Sequence, residues 1–275
     1  TEVGHCRLAL LASGAGTNLQ ALIDAIASGD LAAEIVGVFS DKPKSLAIRR
    51  AVDAGIPTTV LSPRAFASRD AFDAALFAAI DATRPDLIVC AGYMRLIAAA
   101  EVEARPDRMI NLHPSLLPAF KGLHTHQQAL DTGAREHGAS VHMVTADLDD
   151  GPVIAQVRVP VLSGDTVETL ATRVREREHP LLVEVVRLFS QGRLRPDDGR
   201  ICLNGVPLRE PLQLGANRRL ARCRHHAPTD LPHRPRHRFR RPVHGAQRPC
   251  AGHRCTGTTP TERARYPIAG AGTFP

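Results

Sequence analysis

Asn111 and His113 stand two residues apart in NLHPSLLP (111–118), directly after the apolar pair Met109–Ile110. In extended backbone, positions i and i+2 project to the same side. The pair therefore presents a neutral amide donor and a titratable imidazole to one place. An amide N–H stabilises a developing oxyanion without changing charge, and an imidazole holds or passes a proton near neutral pH. A lone His is more often a hydrogen-bonded structural residue; the paired spacing at a strand end sets this one apart. Pro114 then stops the strand, because proline has no N–H to give a ladder.

Two further segments carry chemistry. SGAGTNL (13–19) joins an apolar run to an amphipathic stretch. Two glycines allow a tight turn and close approach of a ligand, and a helix N-terminus favours an anion. Leu19 stands where the dinucleotide fingerprint needs its third Gly, and there is no P-loop Lys, so a phosphate on a small molecule fits better than NAD or ATP. The bland alternative is an ordinary strand–helix turn with Asn18 as N-cap. DLDDGPV (147–153) is an acidic loop of the kind usually found solvated. Here it lies between two expected strands of one sheet and could return to the edge that holds His113. An Asp beside that imidazole would favour its protonated form.

The elements that must position these residues alternate along the chain. Strands are expected at 7–12, 34–40, 58–61, 86–92, 109–113, 140–145 and 153–161. Helical spacing marks 19–28, 45–55, 68–84, 125–132 and 166–191, with Ser68 as an N-cap and Asp165 and Glu168 as a capping-box-like start. The pattern predicts an α/β fold: a doubly wound, mainly parallel sheet with a Rossmann-like phosphate-binding loop. Such sheets bind ligands beyond the carboxyl ends of their strands, where Asn111 and His113 fall.

Charge divides the chain. Residues 218–275 hold 13 Arg, no Lys, one Asp and one Glu, a charge of +11, against +7 for the whole chain and hence −4 for residues 1–217. The body, 1–217, is expected to form one domain. The Arg/Pro/His-rich segment 218–275 cannot bury enough apolar surface to offset its ordering entropy, so a disordered tail is expected. Two readings fit it: a polyanion-binding tail, or the product of a GC-rich gene read out of frame. Cys250, His253 and Cys255 match no standard zinc spacing. The six cysteines show no disulfide framework, and no apolar run approaches a membrane span. A reducing cytoplasm is the expected location.

Three motifs in order, LLASGAGTNLQALIDA, NLHPSLLPAFKGLHTHQQAL and HGASVHMVTADLDDGPVIAQ, closely resemble the folate-dependent formyltransferase family, over about Arg7 to Leu194. Asn-x-His is shared across that superfamily. The phosphate loop and GLHTHQQAL point to its phosphoribosylglycinamide formyltransferase branch. The resemblance implies transfer of a formyl group from 10-formyltetrahydrofolate to the amine of 5'-phosphoribosylglycinamide in purine biosynthesis, with no metal. It implies that Asn111, His113 and Asp149 are catalytic, that Gly16, Thr17 and Asn18 hold the substrate phosphate, and that Glu178 holds the ribose hydroxyls. Arg69 and Met94, Arg95, Leu96 and Ile97, together with Asn111, would contact the folate, partly through backbone groups. It also implies a tight bend with a cis Leu117–Pro118 peptide. Asp150, where several relatives have Gly, departs from the pattern and could alter the loop or the His113 pKa. The expected partners are small molecules, with no specific nucleic acid and no membrane, on a monomer or homodimer. The competing readings are another folate-dependent formyltransferase, a formyltetrahydrofolate hydrolase, or a non-catalytic protein acting on polyanions through its tail.

Overall fold

The computed structural model describes residues 5–222 except 198. Five strands form the parallel heart of a nine-stranded sheet: β1 (Cys6–Leu11), β2 (Ala33–Ser40), β3 (Thr58–Val60), β4 (Leu87–Cys90) and β5 (Met109–His113). β6 (Glu136–Met143) runs antiparallel between β5 and β7 (Val153–Pro160). β11 (Leu212–Leu214) adds parallel to β7, and β12 (Leu220–Ala221) closes that edge antiparallel. The order is β12-β11-β7-β6-β5-β4-β1-β2-β3. A second sheet of three short antiparallel strands, β8 (Leu194–Asp197), β9 (Arg200–Leu203) and β10 (Val206–Pro207), follows the last helix.

Both faces of the sheet are covered, as the continuous apolar runs require. Leu8, Leu10, Val89, Ile110 and Leu112 pack with residues of α1 (Thr17–Ala27), α2 (Leu46–Asp53), α5 (Thr125–Asp131) and α6 (Val167–Ser190). Ala9, Leu11, Ile88, Cys90 and Met109 alternate with them and pack with Phe72, Leu76, Phe77 and Ile80 of α3 (Arg69–Ala82) and Val102 of α4 (Ala99–Glu103). Asn111 and His113 share the parity of Met109 and so belong to the α3 side of the sheet. The connections leaving β1 and β4 diverge to opposite sides, which makes this the topological switch point. There the Ser13 N–H donates to the Gly92 carbonyl at 3.1 Å and holds the two loops together.

Local chemistry refines several expectations. Ser68 caps α3 by accepting from the Ala71 N–H. Asn18 is not a cap: α1 begins at Thr17, after Gly16 at φ 68°. α6 is capped by Thr166, whose hydroxyl forms the capping box with Thr169. Asp165 instead accepts from the Leu162 N–H and pairs with Arg173. The Leu117–Pro118 peptide is cis. Residues 218–222, assigned to the tail by composition, fold with the body. β12 completes the sheet edge, Arg219 pairs with the buried Glu184, and the Leu220 N–H donates to the same carboxylate. Residues 223–275, with Cys250, His253 and Cys255, lie outside the described residues.

Candidate active site

The carboxyl ends of β4 and β5 open into a cavity of about 510 Å³. Its lining includes Asn111, His113, His142 and Asp149 on one side and Tyr93 to Ile97 on the other. His113 is 5 % exposed. Its Nε2 lies 2.9 Å from the Phe120 carbonyl, which can only accept, so Nε2 carries the hydrogen in the neutral ring. Nδ1 then faces Asp149 Oδ2 at 3.4 Å. Burial pushes the His113 pKa down; the Phe120 carbonyl and the Asp149 charge work against it without reversing it.

Asp149 is brought here by the loop between β6 and β7. It adopts the left-handed region, at φ 49°, which Asp tolerates better than most residues. Gly151 follows where a Cβ would stand 1.9 Å from the Met143 carbonyl oxygen, so only glycine lets the chain pass. Burial acts to raise the Asp149 pKa, but the neighbouring His142 ring, the Gly122 N–H and the His113 ring hold it below the ordinary value. Asp150 does not turn towards His113. It is exposed and pairs with Lys121, tying the 147–152 turn to the loop after β5.

His142 is the functional neighbour that sequence reasoning missed. It lies directly opposite Asn111 in the β5–β6 ladder. The β6–β7 register shifts at Val141–His142, an irregularity of the kind that re-aims side chains beside sites. Asn111 Nδ2 is 3.1 Å from His142 Nε2 and 3.4 Å from Asp149 Oδ1. An amide nitrogen has two hydrogens. The first is engaged by His142; the second is held loosely and is available to a ligand.

The apolar part of the lining suits a flat, amphipathic molecule. Met94, Leu96, Leu123 and Leu148 are large apolar side chains left exposed, and all four line this one cavity. Among the described residues, no hydrogen bond uses the backbone N–H or C=O of residues 94–97. Ile97 is nevertheless buried. Backbone groups that are buried normally find partners, so residues 94–97 offer a row of free donors and acceptors along the cavity they line. Arg69 lies outside the lining and sits 3.6 Å from Asp73.

The β1–α1 loop forms a second station. A Cβ on Gly16 would stand 2.5 Å from Ala47 Cα, so α1 and α2 can approach only at a glycine. The Gly14 carbonyl accepts from the Ala47 N–H and the Ser45 hydroxyl, and the Ala15 carbonyl accepts from Arg50. The carbonyls are thus turned inward, while the N–H groups of residues 15–18 take no partner among the described residues. This is the arrangement that receives a phosphate. Asn18 Nδ2 donates to Glu178 on α6 at 3.2 Å, and Asn18 Oδ1 is buried without a partner. Burial raises the Glu178 pKa, opposed by the Asn18 hydrogen bond and by Arg175. Burial, then the Arg175 charge, pushes the His126 pKa down.

The sequence profile of the family described as "Formyl transferase" matches residues 6–186. The phosphoribosylglycinamide formyltransferase of Escherichia coli strain K12 is 44 % identical over 201 residues, covering 73 % of this chain and 95 % of that protein. The trifunctional purine biosynthetic protein adenosine-3 of Bos taurus is 42 % identical over 197 residues, covering 71 % of this chain but 20 % of that longer protein. The solved phosphoribosylglycinamide formyltransferase of Coxiella burnetii superposes with a TM-score of 0.72 at 46 % identity, covering 74 % of this chain and 96 % of that one.

Proposed function

The chain belongs to the formyl transferase family, and from that premise we propose that it transfers the formyl group of 10-formyltetrahydrofolate to the amine of 5'-phosphoribosylglycinamide. The observation that carries this reading is the convergence of Asn111, His113 and Asp149 on a cavity whose far wall is apolar with unpaired backbone groups. Folate supplies a formyl group already activated as an N10 amide.

Residues 15–18 hold the phosphate through backbone N–H groups, and Glu178 accepts from the ribose hydroxyls. Residues 94–97 hydrogen-bond the polar edge of the pterin, while Met94, Leu96 and Leu148 cover its faces. The amine nitrogen bonds to the formyl carbon, and the bond from that carbon to N10 breaks. Asn111 donates its loosely held N–H to the formyl oxygen as charge gathers there. His113, neutral because burial lowers its pKa, accepts the proton lost by the amine at Nδ1. Asp149 beside it stabilises the imidazolium, and the proton then passes to N10. Free Cys6, Cys90 and Cys202 suit a reducing cytoplasm.

The test mixes the protein with 10-formyl-5,8-dideazafolate and glycinamide ribonucleotide, follows deformylation by absorbance, and identifies the formylated product by mass spectrometry. Turnover that requires both substrates supports the reading. Deformylation without the ribonucleotide identifies a hydrolase. No turnover contradicts the proposal.

A further inference from the structure

Asp73 is a carboxylate 1 % exposed to solvent, on α3, outside the cavity lining, and the proposed reaction does not use it. Burial raises its pKa, as expected for a charge removed from water. A buried carboxylate of this kind is costly unless it is paired and hydrogen-bonded. Its hydrogen-bond partner, Ala98, directly follows the cavity-lining residue Ile97. Oδ2 accepts from the Ala98 N–H at 2.8 Å, and Arg69 lies 3.6 Å away. The preceding residue, Phe72, places its ring 5.2 Å below the Arg95 guanidinium.

The segment between β4 and α4 has few other ties. At one end the Gly92 carbonyl accepts from Ser13; at the other the Ala98 carbonyl accepts from α4. Between them the backbone of residues 94–97 makes no hydrogen bond among the described residues. The Ala98 N–H to Asp73 bond is therefore the polar tether that sets where this row of backbone groups stands. We propose that Asp73 is a positioning residue for folate recognition, acting by holding residues 94–98 in register with the cavity through the Ala98 N–H. The proposal rests on the formyltransferase reading of the site. It separates folate binding from chemistry, because Asp73 touches neither Asn111, His113 nor Asp149.

Two variants remove the same bond from opposite ends. Asp73→Ala deletes the acceptor. Ala98→Pro deletes the donor at a residue whose φ of −60° already suits proline. Each is expected to raise KM for 10-formyl-5,8-dideazafolate about tenfold or more, the size of one hydrogen bond to a charged acceptor. KM for glycinamide ribonucleotide and kcat should stay within about threefold of wild type. Asp73→Asn keeps an acceptor oxygen and should restore most of the folate affinity. The double variant should be no worse than the worse single variant, since one bond is lost in each case. If Asp73→Ala does not fold, Ala98→Pro and Asp73→Asn decide the matter. An unchanged folate KM in folded Ala98→Pro overturns the proposal. So do equal rises in both KM values, or additive effects in the double variant. Wild-type protein measured alongside separates the two levels: no transfer by wild type refutes the formyltransferase reading, whereas transfer by wild type with unaltered variants refutes only the role of Asp73.

Discussion

Nε2 of His142 lies 3.1 Å from the amide nitrogen of Asn111, while its Nδ1 lies 2.8 Å from the Met143 carbonyl. A carbonyl can only accept, so Nδ1 carries the hydrogen and Nε2 accepts from Asn111. His142 thus dictates which end of the Asn111 amide faces Asp149 and the cavity. Without it the amide can flip and present its oxygen, which repels a developing oxyanion.

His142→Ala is therefore expected to lower kcat while changing neither KM by much. Loss of the donor itself, in Asn111→Ala, should cost about 10²–10³ in kcat, and His142→Ala should approach but not exceed that. Steady-state kinetics on both variants measures it. Wild-type kcat in a folded His142→Ala protein would mean that Asn111 is oriented by something else.

Asp149→Asn should lower kcat by about 10² or more, the typical contribution of positioned acid–base groups. The Asp149 charge works to raise the His113 pKa against burial. Removing it should move the His113 titration to still lower pH. NMR titration of the His113 ring in the two proteins reads this directly, and an unchanged or higher pKa would show that Asp149 is not its partner.

How far the site could be read from sequence depends on the range of each interaction. Asn111 and His113 were legible because i, i+2 spacing in a strand is local. The β1–α1 loop was legible because Gly16 is demanded by the turn itself. His142 was not, because its role comes from antiparallel register with β5, a pairing between residues 31 apart that one strand cannot reveal. Asp73 was hidden by helical periodicity, where a polar residue in α3 reads as part of the solvent face until its partner, Ala98, is placed. α4 and the second sheet were missed because elements of two to five residues carry too little period. The capping of α6 turns on Thr166 against Asp165, where propensity favours Asp and only geometry selects Thr166.

Acid stability should follow His137, which is almost fully buried against His126. Burial, then the nearby His126 and His113 charges, push its pKa down to about 4. In the unfolded chain a His takes its proton near 6.5. A group with a depressed folded pKa stabilises the native state above its unfolded pKa, so this contribution is full above pH ~6.5 and is lost as pH falls towards ~4. His113, His126 and His179 shift in the same direction and add to the slope. His137→Gln should remove up to about 1.4 kcal/mol per pH unit from the pH dependence in that window. Urea midpoints at pH 7, 6, 5 and 4 provide the check; an unchanged slope would contradict the assignment.

The boundary of the folded body can be tested by two truncations. A chain ending at residue 217 loses Arg219 and the Leu220 N–H from the buried Glu184, along with β12. Among the described residues, Glu184 then keeps Arg187. Stability should fall by about 1–3 kcal/mol, the penalty for stripping partners from a buried polar group. A chain ending at Arg222 keeps these contacts and is expected to retain the melting temperature and transfer activity of the full chain. Equal melting temperatures for the two truncations would show that residues 218–222 add nothing to the body.

The most direct test of the central claim is kcat for formyl transfer in Asn111→Ala, His113→Ala and the double variant, at saturating concentrations of both substrates. Each single change should lower kcat by about 10²–10⁴ with KM values near wild type. The double variant should lose far less than the product of the two single losses, because both residues serve one reacting centre. Wild-type turnover in either folded single variant, or losses that appear only in KM, would contradict the account.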